Sequence, residues 1–289
     1  MQLDLFTHSR PDMLRNDLID ALRARSPAES HKAHARLAAE SPEDSLLAPA
    51  ARLLEQLEKT PPPPFSSHEE ARRAVQHAES LADAAAALFG AARVDDWMAP
   101  VWLALAESCG ALSYRRDLPE THAANMLMRA RQWNMAEAAV ARIPNWRRIP
   151  EPLAWMAEIR FRLREQTAAW SLLAELAWRA PARFAMLARR LDAPFLAPLI
   201  QEFERDFADV DDADFAWFPA WALLAEAKLA DGLCEEHTPE YSPAEQAVWT
   251  IRKLFALERQ GRHHEIIENR KTLRALHPEL FAYYMRTRA

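Results

Sequence analysis

The sequence predicts an all-α protein, and three observations carry that prediction. Glycine is scarce, with 4 in 289 residues, while alanine is abundant. Most of the 20 prolines fall in short clusters between apolar stretches, where they end one helix and open the next. The turn glycines of hairpins and runs of Val, Ile, Thr and Tyr are not present in quantity, which disfavours sheets. Half of the residues are hydrophobic, so the chain has the material for one large or two modest domains with a sizeable core.

Taken in order, the elements announce themselves through their starts. An extended segment is expected over residues 1–8, followed by a first helix from about Ser9. Ser26-Pro27-Ala28-Glu29 places a capping hydroxyl, a proline at the first helical position and a carboxylate in the first turn. Ser41-Pro42-Glu43-Asp44 repeats the pattern with aspartate. The intervals between Ser9, Ser26 and Ser41 predict helices of roughly a dozen residues joined by short turns, hence antiparallel neighbours. These make an N-terminal helical segment over 9–60. The run Thr60-Pro61-Pro62-Pro63-Pro64-Phe65 cannot continue a helix and predicts a stiff, extended linker over 61–66. Ser67-His68-Glu69-Glu70 opens the next helix, and Ser242-Pro243-Ala244-Glu245 opens one far downstream. The region 67–289 is expected to be a series of antiparallel helical hairpins.

Two windows in that region resemble tetratricopeptide-type repeats, whose pattern has small residues where two helices cross and a proline at the end of each unit. In Leu153 to Pro181, Ala157 and Ala169 take the small crossing positions, Leu173 and Leu176 continue the inner face, and Pro181 closes the unit. In Thr250 to Pro278, Gly261 sits at the interhelical turn, Ile266 and Leu273 face inward, and Pro278 closes. Leu254 and Ile266 stand where the family prefers small residues. The resemblance implies hairpins stacked as a TPR-like α-solenoid.

A formal charge of −6 disfavours a protein whose main task is to hold a nucleic-acid backbone, so direct nucleic-acid binding is not expected. Cys109 and Cys234 match no paired metal or redox spacing and suit a reducing compartment. No basic leader followed by an apolar core and no stretch of membrane-spanning length is present, which predicts a cytoplasmic protein without membrane attachment.

Gln2-Leu3-Asp4-Leu5-Phe6 resembles the short peptide with which bacterial proteins grip the DNA sliding clamp. The resemblance implies that Gln2 hydrogen-bonds at one subsite, that Leu3, Leu5 and Phe6 fill an apolar cleft, and that Asp4 occupies a position tolerant of small polar residues. An extended strand suits this mode. The opposing expectation is that Leu3, Leu5 and Phe6 lie against the first helix pair.

Other clusters read as structure. Of the ten tryptophans, Trp217 and Trp221 are four apart on one helical face, as core packing requires. The acidic run Asp206, Asp209, Asp211, Asp212 and Asp214 lacks the mid-loop glycine and closing glutamate of a calcium loop, and predicts a solvated turn with an aspartate cap. His31 and His34 are three apart, compatible with a shared metal ion but without a completing ligand, and adjacent His263 and His264 point in different directions on a helix. No phosphate loop, dinucleotide fingerprint, nucleophile elbow or zinc-protease motif occurs. The expectation is a non-enzymatic scaffold or adaptor without a cofactor, with the sliding clamp as candidate partner. A repeat scaffold or chaperone-like subunit unrelated to DNA is the alternative, and a metal-assisted enzyme with a dispersed site at Asp206 to Asp214 a more distant one.

Overall fold

The computed structural model describes residues 4–191, 193–207, 211–233 and 242–288, with residues 4–9 given by backbone alone. Among these residues every regular element is a helix and no strand occurs. It divides into two compact units, Met1–Ala139 and Val140–Ala289.

The first unit opens with α1 (Asp4–Arg23), α2 (Pro27–Glu40) and α3 (Leu47–Glu58), which pack mutually around Leu18, Leu22, Leu37, Leu53 and Leu54. The expected three-helix segment is therefore present, but its starts are only partly those read from the serines. Pro27 opens α2 as expected, although the Ser26 side chain makes no capping hydrogen bond. Ser41 opens no helix but ends α2, its amide donating to the Leu37 carbonyl at 2.7 Å, and α3 begins at Leu47 instead. Asp44 explains the delay: its carboxylate accepts from the Leu46 amide at 2.9 Å and from Arg15 Nε of α1 at 2.7 Å, which holds residues 41–46 as a turn.

Helices α4 (His68–Phe89), α5 (Val94–Ser108), α6 (Ala123–Arg129) and α7 (Trp133–Ala141) follow. Ser67 caps α4 by accepting from the Glu70 amide, and the Glu70 carboxylate reaches back to the amide and hydroxyl of Ser66, both at 2.9 Å. The proline run was expected to separate two regions, yet it is fastened on both sides. Ser108 Oγ donates to the Pro62 carbonyl at 2.7 Å, and the Phe65 amide donates to the Ser108 carbonyl at 2.9 Å. Held to the end of α5 by these two bonds, the run falls among the residues of the first unit, and the boundary between units falls in α7.

The second unit contains α8 (Pro150–Arg162), α9 (Gln166–Arg179), α10 (Pro181–Leu191), α11 (Ala197–Asp206), α12 (Phe218–Ala225), α13 (Pro243–Gln260), α14 (His263–Leu276) and α15 (Pro278–Arg286). Both repeat-like windows form helix-turn-helix pairs. Ala157 and Ala169 are fully buried where α8 packs on α9, and α10 packs on both. In the second window Gly261 ends α13 with φ of 69°, the left-handed conformation that favours glycine, before α14 turns back. The α8–α9 turn makes the same left-handed step with Arg164, at φ 65°. Pro181 and Pro278 do more than close their windows, since each is the first residue of the next helix. Between the two hairpins, α12 touches α9, α11, α13 and α15, and its Phe218 and Trp221 join Phe184, Phe203 and Phe215 in a fully buried aromatic core.

Candidate functional site

Gln2 and Leu3 of the clamp-like pentapeptide lie outside the described residues. Asp4, Leu5 and Phe6 fall in the first turns of α1, so the backbone is helical from Asp4 where an extended segment through residue 8 was expected. Nothing between Asp4 and Arg10 breaks a helix, and a carboxylate at its first residue favours one. Pro11 then sits inside α1, where it has no amide hydrogen to give the Thr7 carbonyl. The helix acquires its first fully buried side chain, among those described, only at Leu18, while Met13 is 64% exposed. Arg10, the first residue whose side chain is described, pairs with Glu40 of α2 at 3.4 Å.

The other sequence candidates resolve into structural roles. His31 Nε2 pairs with Glu58 at 2.7 Å and His34 Nε2 meets the Leu47 carbonyl at 3.1 Å, so each ring nitrogen is turned to α3 and the two histidines share no site. Asp211 accepts from the amides of Ala213 and Asp214, and Asp214 accepts from the Asp211 amide at 3.0 Å, forming a reciprocal cap on a short 3-10 turn. Asp206 receives the Trp221 indole hydrogen at 3.3 Å, Asp212 pairs with Arg189, and Asp209 lies outside the described residues. His263 and His264 occupy the exposed first turn of α14, where neighbouring Glu265 pairs with Arg262. Among the described residues no three His, Cys, Asp or Glu side chains are grouped to hold a metal ion. Cys109 is fully buried, and burial pushes its thiol up to about 12, which leaves it a protonated apolar filler.

What the sequence reading missed is a set of arginine–glutamate clasps in the second unit. Glu175 on α9 is buried and accepts from Arg147 Nε at 2.5 Å and Arg179 Nε at 2.9 Å. Glu158 on α8 is buried and is held by Arg190 Nη2 at 2.5 Å, with Arg162 at 3.8 Å. Glu151 at the start of α8 pairs with Arg183 at the start of α10, and Arg160 pairs with Glu165 across the α8–α9 turn. The pairs Glu151–Arg183 and Glu158–Arg190 are two rungs between the parallel helices α8 and α10. They are seven residues apart on both, which is two helical turns and hence one face of each.

A local signal for these glutamates exists. Each stands within an otherwise apolar run, Trp155-Met156-Ala157-Glu158-Ile159 and Leu172-Leu173-Ala174-Glu175-Leu176, and a buried carboxylate requires a partner. On α13, burial pushes the Glu245 carboxyl above its ordinary range; nearby Glu175 adds to the rise, while hydrogen bonding from Trp249 and the charge of Arg179 oppose it. These groups pair with one another within the unit, an arrangement that orders helices and presents guanidinium groups outward.

No family model matches the chain, and neither a curated protein nor a solved structure is significantly similar to it. No described helix is long and apolar enough to cross a membrane.

Proposed function

We propose that the chain is a non-enzymatic protein-interaction scaffold of TPR-like helical hairpins in the bacterial cytoplasm, and that it docks on the DNA sliding clamp through Gln2, Leu3, Asp4, Leu5 and Phe6. The observation that carries this reading is the agreement of all five positions, Gln2 to Phe6, with the clamp-binding pattern, at a helix start that Pro11 weakens. Pro11 leaves the Thr7 carbonyl without its helical hydrogen-bond donor, which lowers the cost of unwinding the turn that holds Asp4, Leu5 and Phe6 so that the segment can enter a groove. Unwinding a turn and a half of helix costs little, because short helices are marginal in water.

The repeat reading is supported by α8 and α10, parallel helices whose paired residues Glu158 and Arg190 stand 32 positions apart, close to one tetratricopeptide unit of about 34 residues. Burial of Leu3, Leu5 and Phe6 in an apolar cleft contributes a gross ~5–9 kcal/mol, and ordering costs reduce this to a roughly micromolar affinity.

The test is fluorescence anisotropy of a labelled peptide of residues 1–10 titrated with a purified bacterial sliding clamp. Saturable binding near micromolar, abolished by Leu5→Ala with Phe6→Ala, supports the reading. A flat titration with both the peptide and the intact chain retires it.

A further inference from the structure

The net charge of −6 conceals a strong segregation of charge within the second unit. Between Val140 and Leu191 the chain carries ten arginines, no lysine and no aspartate against four glutamates. The following stretch, 192–240, reverses this with thirteen acidic residues to two basic ones. Arg189 in the last turn of α10 marks the seam, pairing with Glu204 and Asp212.

The arginines gather at the two ends of the α8–α9 hairpin. At one end, Arg147 and Arg179 hold Glu175 and Arg183 holds Glu151, with exposed Arg148 next in sequence to Arg147. At the other, Arg162 and Arg190 hold Glu158 and Arg160 holds Glu165, with exposed Arg164 in the α8–α9 turn. Glu158 and Glu175, which each gather two arginines, are buried, while those arginine side chains keep 29–66% of their surface exposed. The two ends are separated by the 13 residues of α8, ~20 Å of helix.

We propose that the arginine-rich block α8–α10 is a contact surface for the phosphate backbone of a duplex nucleic acid. Two cationic ends ~20 Å apart cannot both engage one small anion, whereas a polymer of phosphates reaches both. Exclusive use of arginine favours two-pronged contact with phosphate oxygens, and guanidinium groups already held by buried carboxylates lose less freedom on binding. An anionic lipid surface fits less well, because Trp155 and Trp170 of this block are buried and Met186 is its only exposed large apolar side chain among the described residues. The inference does not depend on the clamp-binding reading, since it concerns other residues and another ligand.

The experiment titrates a fluorescein-labelled duplex of about 20 base pairs with the full chain. Binding is expected at about 50 mM salt, falling about a hundredfold by roughly 200 mM, as for about four phosphate contacts. Arg148→Glu with Arg164→Glu, two exposed positions outside the clasps, is expected to weaken binding about tenfold or more. The equal charge change Arg36→Glu with Arg274→Glu is expected to leave it within about twofold, and circular dichroism verifies the folding of both variants. If the reversed pair fails to fold, Arg148→Ala with Arg164→Ala makes the same comparison with a smaller loss. Absence of binding at low salt, equal weakening by both pairs, or binding to phosphatidylserine vesicles without binding to the duplex would each overturn the proposal.

Discussion

Arg25 and Trp97 lock together across 72 residues of chain. The guanidinium lies 4.7 Å from the indole ring and donates to the Trp97 carbonyl at 2.7 Å, while the indole Nε1–H donates to Leu22 at 2.9 Å. The turn between α1 and α2, where Arg25 adopts a left-handed φ of 52°, is thereby fastened to α5. Truncation of Trp97 is therefore expected to loosen the whole three-helix segment.

Trp97→Phe removes one of the two donors to the Leu22 carbonyl, which keeps the Arg25 amide at 3.1 Å, and is expected to cost about 1 kcal/mol; Trp97→Ala adds a cavity and is expected to cost about 3–5 kcal/mol. Urea denaturation measures both. Hydrogen exchange in α1 and α2 should accelerate with the larger change, and unaltered protection there would show that the lock does not hold the segment.

Glu175 makes a parallel case in the second unit. Its replacement by alanine removes the carboxylate that gathers Arg147 and Arg179 and leaves two guanidinium groups beside a buried wall. A loss of about 2 kcal/mol is expected, below the ~3–5 kcal/mol of a fully buried pair because both arginines are about one-third exposed. Chemical denaturation of the variant reads it directly, and stability equal to the parent would mark the clasp as ornamental.

Acid should weaken the C-terminal helix through His277. Its Nδ1 accepts from the Leu280 amide at 3.1 Å at the start of α15, and its ring packs 4.5 Å from Trp217. Burial pushes its pKa below 6.5, with Glu279 and Asp214 opposing. The unfolded chain thus binds this proton more readily. Its contribution to stability is full above about pH 6.5 and declines as pH falls from there through the lower folded-state value. His277→Asn retains a capping side chain without titrating. The urea midpoint of the parent should fall more between pH 7.5 and 5.5 than that of the variant, and equal falls would refute the assignment.

Cys109 is expected to be chemically silent. With its thiol pushed up to about 12 and its side chain fully buried, almost no thiolate exists at neutral pH and none is accessible. In a Cys234→Ser background, iodoacetamide should leave the native protein unlabelled and modify it fully in urea; rapid native labelling would contradict the burial of α5's C-terminus.

The legibility of the fold in the sequence followed the range of the interactions. Ser67, Ser242 and Gly261 act within three or four residues of themselves, and each marks the helix end read from it. Ser41 failed because Asp44 is drawn to Arg15, 29 residues away, a partner that no local pattern identifies. The proline run read as a spacer because its anchor, Ser108, lies 46 residues downstream of Pro62. The arginine clasps were hidden for the same reason, since Glu158 and Glu175 meet partners 32 and 28 residues distant, and a whole-chain net charge averages their surroundings away.

The most direct test of the central claim is the affinity of the intact protein for a purified bacterial sliding clamp, measured by isothermal titration calorimetry with and without residues 1–6. The account predicts a roughly micromolar complex for the intact chain that vanishes on deletion and is displaced by the free peptide of residues 1–10. Equal affinity with and without those residues, or no heat from either, would contradict it.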